Sequence, residues 1–417
     1  MSYYVVQGGQ TLRGSVPISG AKNSVLPILA ATLLNGGRNV LHNCPDLRDV
    51  RSAIQILEHL GCKVSREGDT VTVASIVVDR WDVPHELMRE MRSSVIFLGP
   101  ILARCGRARL SLPGGCDIGQ RPIDLHLTAL RKLGAVIREQ GGDILCEASD
   151  LQGRDIILSF PSVGATENTL LTATACSGVT RIINAAREPE IADLQEFLRK
   201  AGALVSGGGE SVITVSGTTP RRDVEHTILP DRIEAATFLC AAAACGGEVT
   251  LTGVEPEHVG TVIQCLRDGG CTVRSAGRII TLLAPQRLGS MPTVRTMPYP
   301  GFPTDSQAPL MAAACTAQGS ALFIETIFEN RFRHAAELQR MGADIRISGR
   351  TALVTGKQLH GAQVRSTDLR GGAALVVAAL AAQGESRVEA LTHIDRGYEH
   401  FAEKLTGLGA KIQRRDD

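Results

Sequence analysis

The chain has 417 residues, with 44 Lys and Arg against 43 Asp and Glu and a formal net charge of +1. This length exceeds one ordinary hydrophobic core and predicts two or three domains. A nucleic-acid-binding protein would show a basic excess, so the charge balance argues against a partner of that class. Aromatic residues make up only 3% of the chain, so we expect a core built from Ala, Val, Leu and Ile.

The eleven cysteines are scattered, and none forms a CxxC pair. An odd, dispersed set in a long chain indicates reduced thiols and a cytoplasmic location. The N-terminal sequence lacks a charged segment followed by an apolar run, so we expect no signal peptide. Gly or Arg interrupts the apolar stretches before about 18 residues, and no membrane segment is predicted. Walker A, GxGxxG and clustered His/Cys patterns are absent from the sequence, so we expect no cofactor and no metal.

A short motif recurs along the chain, each time after an amphipathic run and before an alternating strand. Its central glycines follow one another at intervals of about 70 residues. A glycine at the end of a helix fits a left-handed C-terminal cap. The chain is therefore predicted to consist of six related units, marked by Leu60-Gly61-Cys62, Leu133-Gly134-Ala135, Ala201-Gly202-Ala203, Gly269-Gly270-Cys271, Met341-Gly342-Ala343 and Leu408-Gly409-Ala410.

A second helix, apolar on nearly every face, precedes each amphipathic helix. Such a helix belongs inside a domain. The predicted buried helices are 24–34, 93–103, 166–176, 232–245, 306–317 and 372–382. An open solenoid would need polar capping repeats, and the first and last units are no more polar than the others. We therefore predict an α/β fold of two inside-out, barrel-like domains, each of three repeated units with buried helices and outer mixed sheets.

The N-terminal stretch 3–7 has no helix of its own in the first unit and could complete the C-terminal body. The chain would then cross between the two bodies twice, the second time near Leu229-Pro230-Asp231. We predict a discontinuous first domain of residues 1–21 and 230–417. The second domain is residues 22–229 and carries the Cys116 loop. The cleft between the domains is the expected active site.

Charged residues at the mouths of the apolar helices are candidates for that site. A single charge there is often only a helix cap or a solvated side chain, but several at equivalent repeat positions would converge on a shared cleft. Arginine matches carboxylate and phosphate with a planar fork, so a cationic set predicts an anion with both groups. Asp305 is the candidate acid–base partner. The cationic residues are Lys22, Arg92, Arg121, Arg331, Arg370 and Arg396.

The segment 112–124 reads Leu-Pro-Gly-Gly-Cys-Asp-Ile-Gly-Gln-Arg-Pro-Ile-Asp. Its glycines permit conformations that other residues avoid, and Pro122 suits the first position of a helix. A glycine-rich loop before a helix N-terminus favours anions and shifts a thiol toward the thiolate. Cys116 is therefore either an ordinary surface cysteine or a nucleophile or proton donor.

Eight ordered motifs, spread over the whole chain, resemble the UDP-N-acetylglucosamine 1-carboxyvinyltransferase family. They are Gly-Ala-Lys-Asn at 20–23, Leu-Pro-Gly-Gly-Cys-Asp-Ile-Gly-Gln-Arg-Pro at 112–122, Ser-Val-Gly-Ala-Thr at 162–166, Ala-Arg-Glu-Pro-Glu at 186–190, Leu-Pro-Asp-Arg-Ile-Glu at 229–234, Phe-Pro-Thr-Asp at 302–305, Phe-Glu-Asn-Arg at 328–331 and Asp-Arg-Gly-Tyr-Glu at 395–399. The resemblance implies a fold of two inside-out α/β domains with three repeats each. It implies transfer of the enolpyruvyl group of phosphoenolpyruvate to the 3′-hydroxyl of UDP-N-acetylglucosamine with release of phosphate, the first committed step of bacterial peptidoglycan synthesis.

The resemblance also implies roles for individual residues. In catalysis, Asp305 would accept the proton of the sugar hydroxyl, and Cys116 would protonate the methylene carbon of phosphoenolpyruvate or add to it covalently. Lys22, Arg121 and Arg396 would hold the phosphate, and Lys22 and Arg396 count among the catalytic residues. The phosphoenolpyruvate site as a whole would comprise Lys22, Asn23, Arg121, Arg331, Arg370 and Arg396, with Arg331 and Arg370 on the carboxylate. The UDP-N-acetylglucosamine site would comprise Asn23, Arg92, Arg121, Pro122, Ile123, Asp124, Leu125, Phe160, Pro161, Ser162, Val163, Asp305 and Ile327.

Two alternatives stay open from the sequence. The sister family, 5-enolpyruvylshikimate-3-phosphate synthase, shares the fold and co-substrate but has no cysteine-tipped loop, and its Gly-Asn-Ala-Gly-Thr signature is absent from 91–100. A non-catalytic homologue that binds a nucleotide sugar would have lost residues such as Lys22, Cys116, Asp305 or Arg396, and all are present. Glu167-Asn168 follows the Ser-Val-Gly-Ala-Thr motif, in a form typical of one branch of the family. We expect two small-molecule substrates, no nucleic-acid or membrane partner, and a monomer.

Overall fold

The protein is described by a computed structural model that covers residues 2–111 and 123–416, without the side chain of Arg92. Within these residues the α-helices are α1 (Lys22–Ala31), α2 (Arg48–His59), α3 (His85–Glu90), α4 (Leu98–Cys105), α5 (Asp124–Lys132), α6 (Val163–Ala173), α7 (Pro189–Lys200), α8 (Arg232–Cys245), α9 (Gly260–Asp268), α10 (Thr304–Ala314), α11 (His334–Arg340), α12 (Leu369–Ala381) and α13 (Phe401–Gly407). Short 3-10 helices cover Arg92–Phe97, Pro256–Val259 and Ile394–Arg396.

The strands in the same part of the chain are short. They are β1 (Ser2–Gln7), β2 (Leu12–Pro17), β3 (Arg38–His42), β4 (Lys63–Glu67), β5 (Thr70–Ala74), β6 (Asp82–Val83), β7 (Arg107–Ser111), β8 (Val136–Gln140), β9 (Asp143–Glu147), β10 (Asp155–Ile157), β11 (Val179–Ile183), β12 (Leu204–Ser206), β13 (Val212–Ser216), β14 (Val224–Thr227), β15 (Gly247–Thr252), β16 (Thr272–Ala276), β17 (Ile279–Ala284), β18 (Val294–Arg295), β19 (Ser320–Ile324), β20 (Asp344–Ser348), β21 (Thr351–Thr355), β22 (Gln363–Arg365), β23 (Glu385–Glu389) and β24 (Lys411–Asp416).

The described chain forms two compact units, each with its own hydrophobic core. The split unit comprises residues 2–19 and 230–416, and the central unit comprises residues 20–111 and 123–229. The sheets of the split unit have the strand orders β22-β23-β1-β24, β16-β17-β15-β2 and β18-β19-β21-β20. Those of the central unit are β14-β3-β5-β4, β6-β7-β9-β8 and β10-β11-β13-β12.

All of these four-stranded sheets share one hydrogen-bonding pattern. Each has one parallel pair at an edge and two antiparallel pairs. The predicted mixed α/β class is thereby confirmed. The repeated motif glycines also fulfil their predicted role, because all adopt the positive φ of a left-handed cap: Gly61, Gly134, Gly202, Gly270, Gly342 and Gly409.

The helices that are apolar on all sides pack on one another within each unit. In the split unit α8, α10 and α12 are in mutual contact, and nearly all of their residues are buried. In the central unit α4 packs on α6, and the 3-10 helix Arg92–Phe97 packs on both α1 and α6. Among the described residues, no helix is both long and apolar enough to cross a bilayer.

The chain leaves the split unit at Ser19, and this residue is held from several sides. Its backbone N–H donates to Glu234 Oε2 at 2.7 Å, and its carbonyl accepts from the N–H of Asp231 at 2.8 Å. Its hydroxyl donates to Glu399 Oε2 and accepts from Lys404 Nζ, both at 2.7 Å. The exit point is therefore fixed by α8, α13 and the segment before α13.

Candidate active site

In the split unit, two arginines share the carboxylate of Asp305. Arg331 Nη2 lies 2.9 Å from Asp305 Oδ1, and Arg370 Nη2 lies 3.4 Å from Oδ2. Both arginine side chains are 3% exposed, whereas that of Asp305 is 28% exposed. The cations therefore lie beneath a carboxylate that solvent can reach. Such charge-assisted bonds are stronger than neutral ones.

Asp368 contacts both arginines, the backbone of Arg370 and the guanidinium group of Arg331. It is the N-cap of α12, and its Oδ1 accepts the N–H groups of Arg370 and Gly371 at 3.1 and 3.0 Å. The same oxygen lies 3.6 Å from Nη1 of Arg331. Burial alone would raise the pKa of Asp368, but the charge of Arg331 and the Gly371 N–H hold it below its ordinary value. One carboxylate thus caps the helix and orients a guanidinium group.

The guanidinium group of Arg370 has unused donors. Its Nε and Nη1 atoms are buried and have no hydrogen-bond acceptor within the described chain. The group also lies over the ring of Tyr398, 5.4 Å from the ring centroid. Buried donors in proteins are nearly always paired, so two unused donors on a buried cation indicate a place for an anionic ligand.

Glu325, at the end of β19, connects the start of α10 with the segment that follows the strand. It is 1% exposed. Its Oε1 accepts the N–H groups of Ile327 and Phe328 at 2.8 and 3.0 Å, and its Oε2 accepts the Thr304 hydroxyl at 3.0 Å. The carbonyl of Thr304 in turn accepts Nε and Nη2 of Arg331 at 3.3 and 3.1 Å. The backbone at Ile327 and the residue before Asp305 are therefore held by one side chain.

Arg396 belongs to the same unit. It is the last residue of the 3-10 helix Ile394–Arg396, which packs on α12, the helix that carries Arg370. Its side chain is half-buried. The neighbouring Asp395 forms a two-pronged ion pair with Arg414, at 2.7 and 2.8 Å, which ties the 3-10 helix to β24.

In the central unit, Lys22 is the first residue of α1 and pairs with Asp49 of α2. Its Nζ atom lies 2.7 Å from Asp49 Oδ2. The approach to α1 requires glycine at position 20, because a Cβ atom there would lie 1.8 Å from the carbonyl oxygen of Asn43. Ser24, next to the half-buried Asn23, donates its hydroxyl to Asp193. The first turn of α1 is therefore held from two helices.

The segments expected to hold the nucleotide sugar begin helices of the central unit. Ile123 precedes α5, which starts with Asp124 and Leu125. Ser162 caps α6 by accepting the N–H of Ala165 at 3.4 Å, and Val163 is the first residue of that helix. Pro161 precedes this cap. Phe160 is 40% exposed.

Comparison with known proteins separates the alternatives left open by the sequence. A family profile described as EPSP synthase (3-phosphoshikimate 1-carboxyvinyltransferase) matches residues 6–405. A protein of Symbiobacterium thermophilum named UDP-N-acetylglucosamine 1-carboxyvinyltransferase 1 is 53% identical, over 99% of this chain and 95% of that one. A protein of Caldanaerobacter subterraneus subsp. tengcongensis named UDP-N-acetylglucosamine 1-carboxyvinyltransferase 2 is 48% identical, over 99% and 100% of the two chains. The chain belongs to the UDP-N-acetylglucosamine 1-carboxyvinyltransferase family.

Solved structures agree with this membership. The enolpyruvyl transferase NikO from Streptomyces tendae superposes with a TM-score of 0.90 at 26% identity, over 99% of this chain and 98% of that one. EPSP synthase from Acinetobacter baumannii superposes with a TM-score of 0.72 at 18% identity, over the full length of both chains, which shows a common fold. The predicted resemblance to enolpyruvyl transferases is therefore confirmed.

The structure of this UDP-N-acetylglucosamine 1-carboxyvinyltransferase family member brings some of the predicted residues together. Asp305, Arg331 and Arg370 form one cluster in the split unit. Lys22 and Asn23 are adjacent at the start of α1 in the central unit. Cys116, Arg121, Pro122 and the side chain of Arg92 lie outside the described residues.

Sequence reasoning missed two buried carboxylates of this family member, Asp49 and Glu325. Asp49 lies in the first turn of an amphipathic helix, where an acidic residue is expected for the helix dipole alone. Glu325 follows the alternating strand β19 and has no sequence-local signal beyond the apolar residues before it. Both act through contacts with distant parts of the chain, and a pattern within one segment does not show such contacts.

Proposed function

We propose that this enzyme transfers the enolpyruvyl group of phosphoenolpyruvate to the 3′-hydroxyl of UDP-N-acetylglucosamine and releases phosphate. The proposal rests on one observation in a member of this family: the Asp305 carboxylate lies between Arg331 and Arg370. A carboxylate beside two buried guanidinium groups supplies a base next to a binding place for an anion. The enzyme would catalyse the first committed step of peptidoglycan synthesis.

The first step joins the two substrates. Asp305 accepts the proton of the sugar hydroxyl, the hydroxyl oxygen bonds to C2 of phosphoenolpyruvate, and the double-bond electrons take a proton at C3 from the Cys116 thiol. In the second step the Cys116 thiolate takes a proton from C3, the C–H electrons re-form the C2–C3 double bond, and the C2–O bond to phosphate breaks, so that phosphate leaves and the thiol is restored. A positioned acid or base of this kind contributes about 10²–10⁴-fold to the rate.

The arginines and Lys22 divide the anionic groups of phosphoenolpyruvate between them. Arg331 and Arg370 hold the carboxylate, while Lys22, Arg121 and Arg396 hold the phosphate, and Asn23 adds a contact to both substrates. The carboxylate of an incoming phosphoenolpyruvate molecule competes with Asp305 for the guanidinium groups of Arg331 and Arg370. This exchange releases the Asp305 oxygens for the sugar hydroxyl and supports its assignment as the base.

The nucleotide sugar is held by residues of both units. Its proposed ligands in the central unit are Asn23, Arg92, Arg121, Pro122, Ile123, Asp124, Leu125, Phe160, Pro161, Ser162 and Val163. In the split unit they are Asp305 and the backbone of Ile327. Lys22 and Asp305 belong to different units. The proposal therefore includes inside-out, three-repeat domains at 1–21 with 230–417 and at 22–229, with the active site in their cleft.

The proposal also includes a location and an assembly state. We place the enzyme in the cytoplasm, where its nucleotide substrate is expected, and as a monomer. The cysteines of the described chain support this location, because none of them forms a disulfide. Most are buried, and burial raises their pKa values, for example that of Cys62 to about 12.

A phosphate-release assay tests the activity directly. With phosphoenolpyruvate and UDP-N-acetylglucosamine together, we expect catalytic release of phosphate, and with either substrate alone none. Turnover with shikimate 3-phosphate as the acceptor would favour the sister activity instead. Binding of UDP-N-acetylglucosamine without turnover under any condition would favour a non-catalytic homologue.

A variant at Cys116 tests the acid. Cys116→Asp should keep turnover, because a carboxyl group can protonate C3, yet resist the thiol-directed epoxide fosfomycin, because a carboxylate is the poorer nucleophile. Cys116→Ser should lose most steady-state turnover. Equal fosfomycin sensitivity of the wild type and Cys116→Asp would show that the inhibitor attacks another group.

A further inference from the structure

The side-chain amide of Asn168 bonds to three different segments of the central unit. Asn168 lies in α6 and is 1% exposed. Its Oδ1 accepts the N–H of Gly99 in α4 at 2.8 Å. Its Nδ2 donates to the carbonyl of Val95, in the 3-10 helix that begins at Arg92, at 2.9 Å. The same Nδ2 lies 2.8 Å from Nδ1 of His126 in α5.

These contacts fix the orientation of both side chains. A backbone N–H only donates and a carbonyl only accepts, so the amide of Asn168 cannot be reversed. The second hydrogen of Nδ2 must then go to an unprotonated Nδ1 of His126, and the ring carries its proton on Nε2. Burial lowers the pKa of His126 to about 4, so the ring is neutral at physiological pH.

The segments around the amide approach one another closely at two glycines. A Cβ atom at Gly99 would lie 2.6 Å from the Asn168 carbonyl oxygen and 2.8 Å from Oδ1. A Cβ atom at Gly164, in the first turn of α6, would lie 2.9 Å from Cε1 of His126. Glycine at both positions therefore lets α4 and the imidazole approach α6 closely.

Two of these segments, the 3-10 helix and α5, and also α6 itself carry a proposed ligand of the nucleotide sugar. The 3-10 helix begins at Arg92, α5 begins at Asp124 two residues before His126, and α6 follows Ser162. Resting on the proposed function, we infer that Asn168 and His126 are positioning residues for UDP-N-acetylglucosamine. They fix the first residues of the 3-10 helix, α5 and α6 relative to one another. Neither residue needs to contact the substrate.

The inference has a thermodynamic consequence. Segments that are already ordered lose little conformational freedom when a ligand binds, so their affinity is higher. Loss of the amide frees the three starts to move separately, and small misplacements weaken contacts made by several groups at once. The effect should fall mainly on UDP-N-acetylglucosamine, since Arg121 is the one proposed phosphoenolpyruvate ligand next to these starts, whereas Arg331, Arg370 and Arg396 belong to the split unit.

The test compares four variants of the full-length enzyme with the wild type. Asn168→Ala removes all three bonds. His126→Phe removes the Nδ1 acceptor, whereas His126→Asn can place an oxygen near the Nδ1 position. Thr169→Val is the matched control, because the Thr169 hydroxyl is buried in the same helix and donates only locally, to Ala165 O at 2.6 Å.

The Kd of UDP-N-acetylglucosamine is measured by calorimetry, the KM of phosphoenolpyruvate by phosphate release at saturating nucleotide sugar, and Tm by thermal unfolding. We expect Asn168→Ala and His126→Phe to raise the Kd about tenfold, with the KM of phosphoenolpyruvate changed less than about twofold. His126→Asn should recover most of the affinity. Thr169→Val should lower Tm without changing the Kd.

Two results would overturn the inference. One is an unchanged Kd in Asn168→Ala and His126→Phe, whatever their Tm, and the other is an equal rise in Thr169→Val. If Asn168→Ala does not fold, the two His126 variants decide between the outcomes. A wild-type enzyme without turnover would contradict the proposed function, whereas an active wild type with unaffected variants would contradict only the positioning role.

Discussion

The ammonium group of Lys22 and the carboxylate of Asp49 meet at 2.7 Å, with side-chain exposures of 9% and 0%. Lys22 stands at the N-terminus of α1, where the helix dipole opposes a positive charge. The buried carboxylate compensates that charge and sets the position of Nζ. We therefore expect Asp49 to act as a positioning residue for the proposed phosphate-binding lysine.

Replacing Asp49 by asparagine keeps the shape and removes the charge. Breaking a buried ion pair in this way costs about 3–5 kcal/mol of stability. We expect Asp49→Asn to lower Tm and to raise the KM of phosphoenolpyruvate about tenfold. Asp46→Asn is the control, because its pair with Arg51 is exposed. An unchanged KM in a folded Asp49→Asn enzyme would remove the positioning role.

Arg370 offers two buried donors without acceptors in the described chain, Nε and Nη1. Lysine keeps the charge but cannot present two parallel N–H groups to a carboxylate. We therefore expect Arg370→Lys to lower kcat/KM for phosphoenolpyruvate about 10²-fold while the Kd of UDP-N-acetylglucosamine changes little. Arg340→Lys, at an exposed position of α11, is the control. Equal losses for both substrates would argue against a carboxylate site at Arg370.

Glu325 accepts hydrogen bonds from the Ile327 backbone and the Thr304 hydroxyl. Its variants should differ in activity according to which of these bonds they keep. In Glu325→Gln the amide oxygen can still accept both N–H groups, and the amide nitrogen can donate to the Thr304 hydroxyl, so activity should stay close to wild type. Glu325→Ala leaves the two N–H groups unpaired. We expect it to lower stability by about 2 kcal/mol and kcat/KM about 10²-fold, as measured by urea unfolding and phosphate release.

If the charge of Glu325 mattered more than its hydrogen bonds, the order of these variants would change. Glu325→Gln would then lose as much activity as Glu325→Ala while remaining as stable as the wild type. That pattern would contradict a purely geometric role for the carboxylate.

His126 predicts a pH dependence of stability. Burial lowers its pKa from 6.5 to about 4 in the folded state. Between these values the His126 ring is protonated in the unfolded chain and neutral in the folded chain. The free energy of unfolding therefore falls as the pH drops from 6.5 toward 4. The loss from this residue is about 2 kcal/mol at pH 5. Urea unfolding of wild type and His126→Asn at pH 7 and 5 should show a smaller decrease in the variant. Parallel decreases would mean that His126 is not neutral in the folded protein.

The mixed α/β class, the buried helices and the glycine caps were predictable because their signals are local. A helix that is apolar on every face and a glycine at a helix end each act within a few residues, as the positive φ of Gly61 and Gly134 shows. The bounds were less accurate for the helix predicted at 93–103. The structure has a 3-10 helix over Arg92–Phe97 and starts α4 at Leu98. Pro100 then falls in the first turn, where its missing N–H costs nothing.

The candidate site was predictable only in part. Asp305 and Arg331 stand in motifs that carry the resemblance, and Arg370 stands at the start of an apolar helix, so their grouping was expected from the resemblance and the repeat positions. Asp49 and Asn168 stand in ordinary helical sequence, and their roles depend on partners 27 and 42 residues away, Lys22 and His126. Side-chain hydrogen bonds between distant segments leave no periodic pattern in one sequence.

Strand β1 lies between β23 and β24, which are antiparallel to it on both sides. On the ribosome, residues 2–7 emerge before the central unit, and both neighbours emerge after it. The central unit can acquire its core in the meantime, because residues 20–229 precede everything that β1 needs. Until β23 and β24 have been synthesised, both edges of β1 lack their partners, so this sheet of the split unit is completed after the chain of the central unit has been made.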